Sequence, residues 1–199
     1  MLHPHTRLQH INDEMGYGIF ATKLIPAGAI TYIKDALEIE ISEELLENYT
    51  PAMRSVIDKY SYTDGNGNHV LSWDLAKYVN HHCEANTMST GYGFEIAIRD
   101  ILPGEELTDD YGLFNLKKEF ECACGSKNCR KTLKPTDFDT QSEKWDSLVK
   151  PVLRNLWSVE QPLITLVDDE NMSLLEAFKK DNNNYLTVKN LKVVKTKAL

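Results

Sequence analysis

Three of the four cysteines fall within eight residues, as Cys122-x-Cys124-x4-Cys129, and the fourth, Cys83, stands alone upstream. Gly125 permits a tight turn inside the cluster. The N-terminus, Met1-Leu2-His3-Pro4-His5-Thr6-Arg7, lacks the basic and apolar regions of a secretory signal, so the chain reads as intracellular. In a reducing compartment disulfides are disfavoured, and thiolates this crowded share one tetrahedral zinc with Cys83 folding in as fourth ligand. Two disulfides or unrelated buried thiols are the alternative. Zinc on Cys83, Cys122, Cys124 and Cys129 forces two distant segments into contact, and a binding crevice is expected between them.

A chain of 199 residues sustains one ordinary core plus an appendage without covalent staples. With 42% hydrophobic and 26% charged residues it has a globular composition, and no apolar run approaches the roughly 20 residues of a membrane span. Thirty acidic against 22 basic residues give a net charge of -8. That balance repels phosphate backbones, so no specific nucleic-acid binding is expected; a basic polypeptide suits it better.

From Gly16 to Leu133, short apolar segments alternate with turn signals: Ile25-Pro26-Ala27-Gly28, Asp64-Gly65-Asn66-Gly67-Asn68 and Leu102-Pro103-Gly104-Glu105. Phe94 to Arg99 alternates like a half-buried strand, and Ser42 to Glu47 opens like a capped helix. The core is expected to be mainly β with short helices. After Lys134-Pro135 the spacing becomes helical over Ser142–Trp157 and again from Ser173 to Phe178, which sets a boundary near 135. The final Lys-rich segment reads as a solvated terminus.

Three polar clusters remain. Gly16-Tyr17-Gly18 lets backbone approach a ligand closely and offers an aromatic face. Asn80-His81-His82-Cys83-Glu84-Ala85-Asn86 packs an amide, imidazoles and a thiol too tightly for plain core. Glu105-Glu106-Leu107-Thr108-Asp109-Asp110-Tyr111-Gly112 is an acidic turn that ends in a tyrosine just before the cysteines.

In this order, the clusters resemble those of the SET-domain protein-lysine methyltransferases: Gly-x-Gly, Asn-His-Ser-Cys-x-Pro-Asn, Glu-Leu-x-x-Asp-Tyr and a post-SET Cys-x-Cys-x4-Cys. The resemblance covers Gly16 to Leu133. It implies a mainly β fold of narrow sheets with a threaded, pseudoknot-like crossing (the β-clip-like SET core), spanning residues 1–133 with the post-SET zinc motif at about 117–133. Residues 134–199 form a mainly helical extension with no counterpart. It also implies methyl transfer from S-adenosyl-L-methionine to a lysine of a protein substrate, a histone or another basic protein.

By the same resemblance Gly16, Tyr17, Gly18, Lys77, Asn80 and His81 bind the cofactor, Phe120 covers its adenine, Tyr111 is the catalytic tyrosine, and the four cysteines hold zinc. The second tyrosine of the channel is left among Tyr32, Tyr60 and Tyr62. His82 replaces the family's serine, Ala85 its proline, and Asp109 stands where many relatives carry an aromatic residue that helps control methylation degree. A zinc-stabilised SET-fold binding module with little or no catalysis is the alternative reading, motivated by these departures.

Overall fold

The computed structural model describes residues 1–193; residues 194–199, within the Lys-rich terminus, lie outside the described residues. The chain opens with an antiparallel hairpin of β1 (Thr6–Asn12) and β2 (Gly16–Ala21). Asn12 closes its turn, its side-chain oxygen accepting the N–H groups of Glu14 and Met15 at 3.0 and 2.8 Å. Gly16 leaves the turn at φ +77°, a conformation that costs a residue bearing a Cβ about 1–2 kcal/mol.

β3 (Ile30–Ile33) is buried along its whole length. β4 (Ile39–Ile41) then leads into α1 (Glu43–Glu47), where the Ser42 hydroxyl accepts the Leu45 N–H as the sequence predicts. α2 (Pro51–Tyr60) follows, capped by Thr50 with proline in its first turn. β5 (Ser61–Thr63) and β6 (His69–Leu71) return to make a sheet in the order β4-β6-β5.

β7 (Asn80–His81), β8 (Thr87–Ser89), β9 (Phe94–Ala97) and β10 (Glu106–Asp109) complete the centre. β3, β9 and β8 form one sheet, and β1-β2-β10-β7 form another. β10 runs antiparallel to β2 and parallel to β7, so segments far apart in sequence become neighbours. Segment 82–86 wraps over β10: the N–H groups of His82 and Asn86 donate to the Asp109 and Thr108 carbonyls at 3.0 and 3.3 Å. The Asn86 side chain donates to the Glu106 carbonyl (2.7 Å) and accepts the Thr108 N–H (2.9 Å). This is the threaded crossing expected of the resemblance.

β11 (Phe120–Glu121) and β12 (Thr132–Leu133) bracket the cysteine cluster as a short ribbon. Beyond it, the helix expected over 142–157 starts earlier, as α3 (Asp137–Leu153) with one further helical turn to Trp157. The helix expected at 173–178 is α4 (Asp169–Lys180), capped by Asp168. Phe138, Trp145, Val149, Leu153, Leu175 and Phe178 share one core with Ile30, Ile33, Phe94 and Ile96. The helices therefore fill an open face of the β core, and that packing corrects one expectation. Phe94, Ile96 and Ala97 of β9 are all buried and only Glu95 is half-buried, because Phe94 and Ile96 pack under the helices while Ala97 packs in a second core with Ile19, Ile25 and Leu107. No helix among the described residues is long and apolar enough to cross a membrane.

Candidate active site

The crossing brings Asn80, His81 and Tyr111 together. Asp74 caps the helical turn Leu75–Tyr78 that delivers Asn80, accepting the Ala76 N–H at 2.9 Å. Asp110 caps the next turn, Tyr111–Leu113, accepting the Gly112 N–H at 3.0 Å. The Tyr111 hydroxyl donates to the Val79 carbonyl at 2.7 Å, and its N–H donates to His81 Nδ1 at 3.2 Å. Burial, with the Asp109 and Glu95 charges nearby, pushes the Tyr111 phenol above its ordinary pKa, so it is an O–H donor at any working pH. Burial lowers His81 to about 4, which leaves it neutral.

On the hairpin side, Asn80 Nδ2 donates to the Tyr17 carbonyl (3.0 Å) and to Glu106 Oε1 (2.8 Å). At Gly18 a Cβ would meet Glu106 Oε1 at 2.3 Å and Asn80 Nδ2 at 3.1 Å, so a side chain there would displace the Glu106 carboxylate from Asn80. Tyr17 is half exposed and meets Tyr78 edge-on at 6.1 Å, and Tyr78 in turn meets Tyr60 at 5.5 Å. This aromatic row went unread in the sequence; Tyr78 stands beside Lys77, and Tyr60 ends α2.

A cavity of about 570 Å³ opens beside these groups, lined by Lys77, Val79, Tyr111 and Phe120 among others. Of the residues expected to hold a cofactor, Lys77 and Phe120 line it, whereas Gly16 to Gly18, Asn80 and His81 lie in the adjoining crossing and hairpin. A smaller cavity of about 140 Å³ meets it where Tyr32, Tyr62, Glu95 and Phe114 line both. Tyr111 packs on Phe114 (5.3 Å), Phe114 on Tyr62 (5.4 Å) and Tyr62 on Tyr32 (6.4 Å), so the junction is an aromatic neck. Of the candidates for a second tyrosine, Tyr32 and Tyr62 flank the neck; Tyr60 lines only the larger cavity.

Cys83, Cys122 and Cys124 gather with His81, and Cys129 joins them through Cys122. Cys83 Sγ lies 3.8 Å from Cys122 Sγ, which lies 3.6 Å from Cys129 Sγ. Two thiolates sharing a tetrahedral zinc at a bond length of about 2.3 Å sit about 3.8 Å apart. Donor atoms of His81, Cys83, Cys122 and Cys124 all lie within 4.8 Å of one another, so five groups compete for four positions. The Asp109 carbonyl, which accepts the His82 N–H, has a second lone pair facing His81 Nδ1 at 3.1 Å. With Nδ1 accepting the Tyr111 N–H, the imidazole proton sits on Nε2 and points at Cys83 Sγ, 3.3 Å away. With Nδ1 donating to Asp109 instead, the Nε2 lone pair joins the thiols as a metal donor. Glu84, accepting from Ser126 and Asn128, ties the two segments together.

Residues 16–112, which hold β2, the crossing and the Tyr111 turn, match the family model described as the SET domain. The chain contains a SET domain. ASHH4 of Arabidopsis thaliana is 28% identical over 174 residues, 80% of this chain and 49% of that protein. The variant-silencing SET domain-containing protein of Plasmodium falciparum is 30% identical over 135 residues, 59% of this chain and 5% of that protein. The histone-lysine N-methyltransferase trr of Drosophila melanogaster is 32% identical over 132 residues, 58% of this chain and 5% of that protein. The chain thus spans about half the length of the first relative and a small part of the other two.

The SET domain is joined to its helical extension by a buried polar hub that the motifs did not point to. Arg130 reaches Asp110 with one nitrogen and Asp137 with another, the latter at 3.2 Å, while its N–H donates to Cys83 Sγ at 3.4 Å. Trp145 Nε1 donates to the other oxygen of Asp110 at 2.9 Å. One carboxylate thereby ties the Tyr111 turn, the cysteine cluster and α3 together. Its sequence signal is an arginine directly after the last cysteine.

Proposed function

We propose that this SET domain transfers a methyl group from S-adenosylmethionine to the side-chain amine of a lysine in a protein, and that zinc on Cys83, Cys122, Cys124 and Cys129 braces the segment carrying Phe120. The observation that carries the reading is the pair of cavities meeting at an aromatic neck beside Tyr111. A cofactor on one side and a lysine side chain entering from the other would meet there. At about 570 Å³ the larger cavity suits a small-molecule cofactor, with Tyr60 and Phe120 for an aromatic base and Lys77 for an acidic group. Asn80 and the open backbone face at Gly16 stand next to it and would hold its polar end.

Held there by Lys77, Asn80 and Phe120, S-adenosylmethionine would supply an electrophilic methyl group and leave as the neutral thioether. The chain's own task is to present that nitrogen neutral and in line. A lysine with an ordinary pKa near 10.4 arrives cationic and has no lone pair to offer. The dry wall of Tyr32, Tyr62, Phe114 and Tyr111 favours the neutral amine by desolvation, and the narrow neck fixes its approach, the orientation term worth several powers of ten in rate. Tyr111, whose hydroxyl is held by the Val79 carbonyl, aims the lone pair.

For substrate, the net charge of -8 suits a basic polypeptide, and trr is named as a histone-lysine methyltransferase. Peptide mass spectrometry of histones and other basic proteins, after incubation with S-adenosylmethionine and wild-type or Tyr111→Phe protein, tests the reading. Lysine methylation that depends on Tyr111 is the expected result. Cofactor binding without any methyl gain would point instead to the non-catalytic binding module.

A further inference from the structure

The neck carries a group that the reading above does not use. Glu95 of β9 and Asp109 of β10 both line the larger cavity, and Glu95 also lines the smaller one. Asp109 is fully buried. Its Oδ1 accepts the Asp110 N–H at 2.7 Å, but its Oδ2, equally buried, has no hydrogen-bond donor among the described residues. Glu95 stands beside it on the cavity wall, and a proton shared between the two carboxyls would satisfy that oxygen.

Among the described residues the countercharge is only distant. The phenols of Tyr62 and Tyr111 face the pair, Asp110 adds a like charge, and the Met1 amino group is the remote positive one. His69, Asp58, Glu119 and four lysines stand further round the larger cavity, and Lys34 and Asp64 line the smaller one. No basic side chain forms an ion pair with Glu95 or Asp109 among the described residues; Lys34 is held by Glu40 and Asp64, and Lys117 by Glu43. The pair is therefore an uncompensated, water-poor acceptor at the place where a lysine would end.

We propose that Glu95 and Asp109 act together as the proton acceptor for the substrate amine. The proposal rests on the lysine-methylation reading. In the free protein the pair carries one proton and one negative charge. When the ammonium enters, one N–H bond breaks with its electron pair staying on nitrogen, and the proton passes to the ionised carboxylate. The pair then holds two protons, the nitrogen holds its lone pair, and water takes the extra proton after product leaves. Burial lifts both acids, Glu95 to about 7, so the acceptor is matched to neutral pH rather than to the ordinary carboxylate range.

Two measurements decide it. In the free protein, ¹³C NMR of the two side-chain carboxyls should show one proton retained through about pH 7; both ionised by about pH 6 would overturn the proposal. In single turnovers from radiolabelled S-adenosylmethionine to core histones, the wild-type rate should fall as pH drops below about 7. Glu95→Gln and Asp109→Asn, with cofactor binding intact by calorimetry, should be about 100-fold slower near neutrality. Their deficit should close as the pH approaches the lysine's own pKa near 10.4, where the amine arrives neutral. A loss of equal size at every pH, the mark of a structural role, would sink the proposal, as would no loss. A wild-type protein that methylates nothing at any pH would remove the lysine-methylation reading itself, and this proposal with it.

Discussion

Replacing Trp145 by phenylalanine isolates the join between the SET domain and its helical extension. Trp145 is 1% exposed; its ring packs on Phe138 at 5.8 Å and lies where a Cβ on Gly112 would come within 2.9 Å. Phenylalanine keeps most of that contact but removes the indole N–H, leaving Asp110 Oδ2 without its donor at a cost of about 1–3 kcal/mol for a buried charged acceptor. Truncation to alanine adds a cavity and should cost about 3–5 kcal/mol, a large share of the 5–15 kcal/mol typical of a domain. Urea unfolding followed by far-UV circular dichroism reads both values. A Trp145→Phe protein within about 0.5 kcal/mol of wild type, the range of ordinary surface changes, would refute the idea that the Asp110 hub carries stability.

Tyr111→Phe should bind S-adenosylmethionine with near wild-type affinity by calorimetry yet slow methyl transfer by about 100-fold or more, since only the orienting hydroxyl is lost. Native mass spectrometry should find one zinc per chain. A strong chelator should remove it and open the segment around Phe120 to proteolysis, while Cys129→Ser, which removes a thiol that the Lys131 N–H lowers to about 7, should weaken retention of the metal. Gly18→Ala should cost about 1–3 kcal/mol in a thermal melt, because its methyl displaces the Asn80–Glu106 contact, and should weaken cofactor binding with it. The folded protein keeps a proton on the Glu95–Asp109 pair that the unfolded chain gives up above about pH 4. Stability should therefore decline as pH rises from about 4 toward about 7, and Asp109→Asn should flatten that slope in urea titrations.

Local chemistry made part of this protein legible. The Ser42 cap, the Asp64–Asn68 turn and the thiol cluster each depend on residues close in sequence, or on a metal that demands their meeting. Asn80, His81 and Tyr111 were found because motifs preserve order, although what joins them is the parallel pairing of β7 with β10, which no local pattern encodes. α2 went unread: its Thr50 cap and Pro51 are local signals, but the helix is too polar for its periodicity to stand out. Glu95 was hidden differently: in an alternating strand an acid is read as the solvent-facing residue, and it is Tyr62, Asp109 and Phe114, from segments distant in sequence, that make that position the wall of a cavity. Helical spacing after 135 likewise identified helices but not their partner, since an apolar face does not specify what covers it.

The last described residues are fastened to α3 and to the rim of the smaller cavity. Asp146 accepts from Tyr185 and Val188, the Tyr92 hydroxyl accepts the Leu186 N–H, and Asn115 bonds both Leu191 and Val193. On a ribosome, where synthesis runs from the N-terminus at about 5–20 residues per second, the Tyr111 turn is made several seconds before these fastenings exist. The nascent β core therefore waits with its Ile30–Phe94 face uncovered until the helices that cover it have been made. A chain stalled after the cysteine cluster would carry the whole SET-domain match and, lacking its closing helices, would be a client for chaperones.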